Sequence, residues 1–356
     1  MSRRAFIRWL LAAAAAALAL VFGLRQRGGD PGEPAVAPTA SPSPAPSRAA
    51  TPSPTPAPTP GPDEPLLSFM ILSDLHVNSA FTEQSDKLRK ALDDIVAFES
   101  KVERLIVTGD LTDAATDGDY KELHSVLSGY KLPQVAANMG NHDYYDIWID
   151  KNGQWNKDAA PNGKSDAASR DKFLSFFGMA KPYSEMEANG YTILLLSQET
   201  YVQEKPEVGE GAWYSDEQLT WFEERMSRHR GDKPIFVMIH QPLPPIGQDG
   251  SSHQLIRAKR FRDILRPHAN VFVFSGHQHQ DFLNGRPHYV KETFHWFHNS
   301  SVGKLLNASF QQTRKEAAQG LYVQVYKGKV VLRGREFSNR TWVGKEADWT
   351  VPLDRA

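Results

Sequence analysis

The chain has 356 residues, 40% hydrophobic and 23% charged, which supplies a globular core and excludes a mostly disordered polypeptide. Lys plus Arg number 41 against 42 Asp plus Glu, so a formal net charge of −1 gives no global attraction for nucleic acid or a polyphosphate. Cysteine is absent, which removes disulfides, thiolate metal sites and cysteine nucleophiles and leaves any metal to the 12 histidines and to Asp, Glu or Asn.

In chain order, the basic segment Ser2-Arg3-Arg4-Ala5-Phe6-Ile7-Arg8 leads into an uncharged run from Trp9 to Leu24, the layout of a targeting element. The paired arginines before Phe6 resemble a twin-arginine export signal. Residues 1–30 are therefore read as that signal or as an N-terminal anchor, and the protein as exported and extracytoplasmic. At ~1.5 Å per residue the apolar run reaches about 24 Å, short of a ~30 Å hydrocarbon core. Arg25 and Arg27 stand where a cleavage region should be uncharged. Membrane tethering through an uncleaved segment and secretion after cleavage both stay open.

Thirteen of the 24 prolines then fall between Pro31 and Pro65. Pro, Ala, Ser and Thr with almost no apolar bulk cannot repay ordering entropy by burial, so residues 31–65 are read as a linker. Its alternating prolines favour polyproline II, which gives a semi-rigid spacer with a reach on the order of 100 Å.

From residue 66 to 356 the pattern is that of one layered α/β domain. Leu66 to Leu72, Arg104 to Val107, Gln134 to Met139, Tyr191 to Leu196, Ile235 to Ile239 and Val271 to Phe274 read as buried strands. Lys87 to Ser100 reads as a helix through Leu88, Ala91, Leu92, Ile95 and Phe98. Ser215 with Gln218 marks the start of another over Asp216 to Arg228. Leu321 to Tyr326 and Lys329 to Gly334 flank Lys327-Gly328 as a hairpin.

Metal-competent residues recur where these apolar runs stop, and α/β sheets place ligand sites beyond the carboxyl ends of their strands. The runs end in Ser73-Asp74-Leu75-His76, Thr108-Gly109-Asp110, Gly140-Asn141-His142-Asp143, His240-Gln241-Pro242 and Ser275-Gly276-His277-Gln278-His279. Asp74, His76, Asp110, Asn141, His240, His277 and His279 are seven nitrogen or oxygen donors, enough for two ions if one carboxylate bridges. The same donors suit Mn, Zn and Fe.

The ordered set D-x-H, G-D, G-N-H, H and G-H-x-H resembles the calcineurin-like metallophosphoesterase superfamily over residues 66 to 340. Gly109-Asp110-Leu111-Thr112-Asp113 and Gly140-Asn141-His142-Asp143 look most like its class III cyclic-nucleotide and glycerophosphodiester phosphodiesterases. The resemblance implies a four-layer αββα sandwich with a dinuclear site at the strand carboxyl ends. It also implies two divalent transition-metal ions, one held by Asp74, His76 and His279, the other by Asn141, His240 and His277, with Asp110 bridging.

A metal-bridging hydroxide would attack a small phosphoester in line. Asn141 and His142 would contact the phosphate, His142 would protonate the leaving oxygen, and Asp143 would orient His142. A phosphomonoesterase or nucleotidase on the same site is the enzymatic alternative, and a non-catalytic, envelope-anchored binding protein is the other. Leu111-Thr112-Asp113 and the retained His76 argue against the Fe(III)-tyrosinate site of purple acid phosphatases. Gln241 stands where many relatives have a second histidine.

The other histidines read differently. His124, His229 and His268 are expected at the surface, and Phe294-His295-Trp296-Phe297-His298 in a packed strand or loop. His253 should rim the site after the Pro- and Gly-rich Gln241 to Ser252. Arg257, Lys259, Arg260 and Arg262 are expected on a solvated helix face, without the aromatic interleaving of a nucleic-acid binder. The insertion from Ile147 to Lys172, with Trp148, Trp155 and Gly163, is either a lid or a plain loop.

Overall fold

In the computed structural model, residues 64–354 are described, apart from Glu99, Arg230 and Asp232; the predicted leader and almost all of the predicted linker lie outside the described residues. Among the described residues no helix is long and apolar enough to cross a membrane.

Strand β1 (Leu67–Leu72) is buried along its whole length. Leu67, Phe69 and Ile71 join one apolar cluster while Met70 and Leu72 join another. A period-2 strand that is apolar on both faces must be covered on both sides, and the rest of the chain supplies the cover. After it come α1 (Glu83–Val96), β2 (Arg104–Thr108), α2 (Asp117–Ser128), β3 (Gln134–Asn138) and α3 (Asp166–Phe177). Next are β4 (Ser184–Ala188), β5 (Tyr191–Leu195), α4 (Asp216–Ser227), β6 (Ile235–Met238), α5 (Ala258–Leu265) and β7 (Val271–Ser275). The short β8 (Tyr289–Lys291) and β9 (His295–His298) precede the hairpin of β10 (Gln319–Tyr326) and β11 (Lys329–Glu336), and then β12 (Thr341–Trp342) and β13 (Asp348–Pro352).

One sheet runs β12-β11-β10-β1-β2-β3, with β13 also on β11; the other runs β4-β5-β6-β7-β9-β8. Strands β1, β2 and β3 are mutually parallel, as are β5, β6, β7 and β9. The sheets face each other through Phe69, Ile71, Ile106, Phe236, Phe272, Phe274 and Leu321; Phe69 meets Phe236 edge-on with ring centroids 5.0 Å apart. Leu88 and Leu92 of α1, Leu123 of α2 and Phe173 of α3 cover the outer face of the first sheet. Phe222 of α4 and Phe261 of α5 cover the second. The expected αββα sandwich is the fold, and its parallel strands deliver the polar motifs to one end.

Three expectations shift. The first helix starts at Glu83 and stops at Val96, four residues earlier than its apolar stripe suggested, because its first turn is polar: Glu83 and Asp86 stand at the positive end of the helix dipole. The Ile147 to Lys172 insertion contains the start of a real helix, α3, whose N-cap Ser165 accepts from the Ala168 amide. Arg262 is buried instead of solvated: its Nε and Nη2 pair with Glu292 at 2.8 and 2.9 Å, and Nη2 also donates to the Pro244 carbonyl at 2.7 Å. A helix face read from sequence cannot reveal a carboxylate 30 residues away.

Candidate metal centre

The residues at the strand ends hold unusual backbone. Asp74, His76, Asp110, His277 and His279 all have positive φ, between 49 and 72°, a region that side chains with a Cβ rarely enter and that costs of order 1–3 kcal/mol each. Cross-strand bonds hold them there. The Asp74 amide donates to the Gly109 carbonyl at 3.2 Å, the His76 amide to the Asp110 carbonyl at 3.1 Å, and the Gly276 amide to the His240 carbonyl at 2.9 Å. Glycines make the close approach possible. A Cβ on Gly140 would overlap the side chains of Asp110 and His240, and one on Gly276 would overlap Ser73 and Asp74.

Three overlapping donor groups result among the described residues. Asp74, His76, Asp110 and His279 form one, Asp110, His240 and His277 a second, and His76, Asp113 and His142 a third, with the candidate donor atoms of each within 4.8 Å of one another. Asp110 belongs to the first two. Its Oδ2 lies 3.1 Å from His240 Nε2 and 3.8 Å from His76 Nε2, while its Oδ1 accepts from the His142 amide at 2.9 Å. In the first group His76 Nε2 and His279 Nε2 converge to 2.9 Å, and His279 Nε2 lies 3.2 Å from Asp74 Oδ1. In the second, Asn141 Oδ1 stands 2.9 Å from His277 Nδ1. His240 is oriented from behind, its Nδ1 2.7 Å from the Thr108 carbonyl, which fixes Nε2 as the free nitrogen.

These residues fit divalent cations. Asp110 Oδ2 and His240 Nε2 are buried, face each other at 3.1 Å and have no hydrogen bond to any other group, so each keeps donor capacity that a cation between them could use. Oxygen and imidazole donors converging from separate strands are the donor types such ions take. Charge agrees. Burial alone would raise Asp74, yet His279 and His240 hold its carboxyl below the ordinary range. Burial, with the charge of His142, lowers His76 to about 4, and burial with His240 takes His277 to about 3, so both imidazoles stay neutral and able to ligate. Burial also disfavours a proton on His240, but Asp110 and Asp74 override it and push the ring up to about 9.

Asp143 departs from its expected part. Its carboxylate accepts from the Leu111 and Thr112 amides at 3.2 and 3.4 Å and from the Gly140 amide at 3.0 Å, tying the second and third motif loops together from behind. Burial, reinforced by Asp110, pushes it up to about 7. Asp113 takes the place beside His142: His142 Nδ1 is 2.8 Å from the Asp113 carbonyl and 3.7 Å from its Oδ1, which is also 3.4 Å from His76 Nδ1. An adjacent residue in a helical turn points away, whereas a loop from the neighbouring strand faces across.

A recess of about 940 Å³ opens beside His142, lined by Phe81, Asp113, Tyr145, Asp146 and Trp155 among others. Trp155 and part of the Ile147 to Lys172 insertion thus wall this recess. His253 lies near the site, its ring 6.0 Å from that of His277. His288, His295 and His298 are buried around β9. Sequence reasoning missed Glu210, whose carboxylate accepts from Asn141, Tyr145 and Tyr201; nothing in its local sequence marks it.

A two-sheet α/β domain with His and Asp donors gathered at its strand ends presents a site suited to divalent cations. The chain belongs to the calcineurin-like phosphoesterase family, whose model matches residues 67–281. It is 26% identical over 201 residues to a probable cyclic nucleotide phosphodiesterase of Rhodococcus erythropolis, covering 55% of this chain and 58% of that protein. It is likewise 26% identical over 184 residues to a second protein of that description from Synechococcus, covering 51% and 60%. A glycerophosphodiester phosphodiesterase of Enterobacter lignolyticus is 22% identical over 226 residues, covering 58% and 69%. The matches thus span under two thirds of the first two relatives. Among solved structures, a dimetal phosphatase from Danio rerio superposes with a TM-score of 0.58 at 15% identity, covering 82% of this chain and all of that one. A purple acid phosphatase from yellow lupin does so at 0.54 and 11%, covering 81% and 54%. Both share the fold.

Proposed function

We propose that the protein is a phosphodiesterase working at a dinuclear centre, with Asp74, His76 and His279 on one ion, Asn141, His240 and His277 on the other, and Asp110 between them. Two bound cations would supply Lewis-acid charge for the phosphoryl oxygens and a water acidified toward neutrality. The observation that carries the diester reading is the recess beside His142, because a phosphate seated at the donor cluster would have room there for a second alcohol arm. The two relatives described as probable cyclic nucleotide phosphodiesterases favour the same reading.

The chain's own residues then have defined tasks. A carbonyl can only accept, so His142 Nδ1–H donates to the Asp113 carbonyl and leaves Nε2 for the substrate side. His142 lines the recess with a quarter of its side chain exposed, which suits it to protonate the leaving oxygen there. Phe81, Tyr145 and Trp155 supply apolar and aromatic surface to the departing arm.

Activity after loading with Mn or Zn tests the reading: bis-p-nitrophenyl phosphate should turn over at least tenfold faster than p-nitrophenyl phosphate. Preference for the monoester would instead make the protein a phosphomonoesterase or nucleotidase. Inertness toward both would leave the non-catalytic binding reading standing.

We also infer that the domain works outside the cytoplasm, either tethered or released, because paired arginines precede an apolar run and a proline-rich spacer. Changing Arg3 and Arg4 together to Lys should cut the exported fraction at least tenfold in cell fractionation; unchanged export would remove the twin-arginine assignment.

A further inference from the structure

Asn141 has two unlike ends, and only its carbonyl oxygen can offer a lone pair to a cation; the amide nitrogen only donates. Shape does not choose between them, since an amide turned by 180° fills nearly the same volume. The hydrogen-bond network chooses. Asn141 Oδ1 faces His277, while Nδ2 donates toward Glu210 Oε2 and the Tyr145 hydroxyl, each at 2.9 Å. The Tyr145 hydroxyl donates to the same Glu210 oxygen at 2.6 Å, and Tyr201 donates to the other at 2.8 Å. Tyr145 also packs its ring against His142, with centroids 4.0 Å apart.

Glu210 is itself held in place. Its amide donates to the Ser252 carbonyl at 2.9 Å and its carbonyl accepts from Gln241 Nε2 at 3.1 Å. On either side, a Cβ on Gly209 would come within 2.7 Å of Ser252, and one on Gly211 within 2.6 Å of Ser251. Gln241, which stands where many relatives have a second histidine, thus anchors the backbone of Glu210.

We propose that Glu210 is a positioning residue that holds the Asn141 amide with Oδ1 toward the metal position shared with His240 and His277, and that steadies Tyr145 beneath His142. The inference rests on the dinuclear reading above. Partners of metal ligands that act this way typically change metal affinity by 10–100-fold. The requirement is for an acceptor at Oε2, not for a charge. Glutamine can set its amide oxygen there and turn its nitrogen toward the Tyr201 hydroxyl, whereas leucine cannot accept at all.

The test is Mn(II) titration of the full-length protein, followed by electron paramagnetic resonance for bound ions and for the spin-coupled pair. Glu210→Leu should weaken one of the two ions at least tenfold, leave the other within about threefold, and abolish the coupled signal at subsaturating Mn(II). Glu210→Gln should keep both affinities within about threefold of wild type. If Glu210→Leu does not fold, Glu210→Asp, too short to reach Asn141 from the same backbone, should show the same selective loss. Unchanged affinities in the Leu or Asp variant, equal weakening of both ions, or a Gln variant as damaged as the Leu variant would overturn the proposal. A wild-type protein that binds no pair of ions would instead overturn the dinuclear reading.

Discussion

Replacing Asp110 by Asn should reduce phosphodiester hydrolysis by at least about a hundredfold and lower bound metal from two ions toward one, measured by elemental analysis and initial rates. Asp110 is shared by the donor groups of both proposed ion positions, so one substitution strikes the two together. The change is nearly isosteric. An amide carbonyl can still accept from the His142 amide, so the loop should keep its course. What disappears is the negative charge that faces His240 at 3.1 Å.

The same pair sets a pH dependence in the metal-free protein. His240 is raised from 6.5 to about 9 in the folded state, mainly by Asp110 against the opposing effect of burial. A group whose folded pKa is raised stabilises the fold fully below its unfolded pKa and loses that stabilisation as pH rises through the folded one. Thermal stability of the metal-free protein should therefore decline between pH 6.5 and about 9, and the D110N variant should lack that decline. Bound cations take over the role of the proton, so metal loading should also flatten it. Full activity and full metal content in D110N would remove Asp110 from the centre.

His142→Gln should show its effect selectively, according to how much the leaving group needs a proton. An alkyl phosphodiester expels a basic alkoxide, and loss of a positioned general acid should slow it by about 10²–10⁴-fold. A p-nitrophenyl diester expels an anion that is stable in water, and the same variant should slow it less than about tenfold. Glutamine can still place a donor near the Asp113 carbonyl, so the loop position is preserved while the proton reservoir is lost. Equal slowing of both substrates would mean that His142 binds the phosphate without delivering a proton. The structure favours delivery: the ring is packed between His76 and Tyr145, its Nδ1 is committed to the Asp113 carbonyl, and it lines the recess where the second arm would leave.

Much of this centre was legible before folding because its chemistry sits at strand ends, and a buried strand announces its own end. The six apolar runs read from the sequence became β1, β2, β3, β5, β6 and β7 to within a residue or two. A strand with both faces buried needs an uninterrupted apolar run, and the first polar residues after it are then at the carboxyl edge. The seven donors followed from that placement. Elements without such a run were harder to see: β4 reads Ser-Glu-Met-Glu-Ala on a sheet edge and β12 has two residues. Their pairing comes from the neighbouring strand, not from their own composition.

What the sequence by itself determined was therefore the kind of chemistry: His, Asp and Asn donors without cysteine, arranged in order along parallel strands. Tertiary structure alone decided the partners. It took Asp143 away from His142 and spent it on three amides, set Asp113 in its place, buried Arg262 against Glu292, and brought Glu210 to Asn141 across 69 positions of chain. The physical reason is range. Burial patterns and backbone periodicity are written in neighbouring residues, whereas a hydrogen bond that orients a ligand depends on which distant loop arrives within 3 Å of it, and only packing of the two sheets brings those loops together.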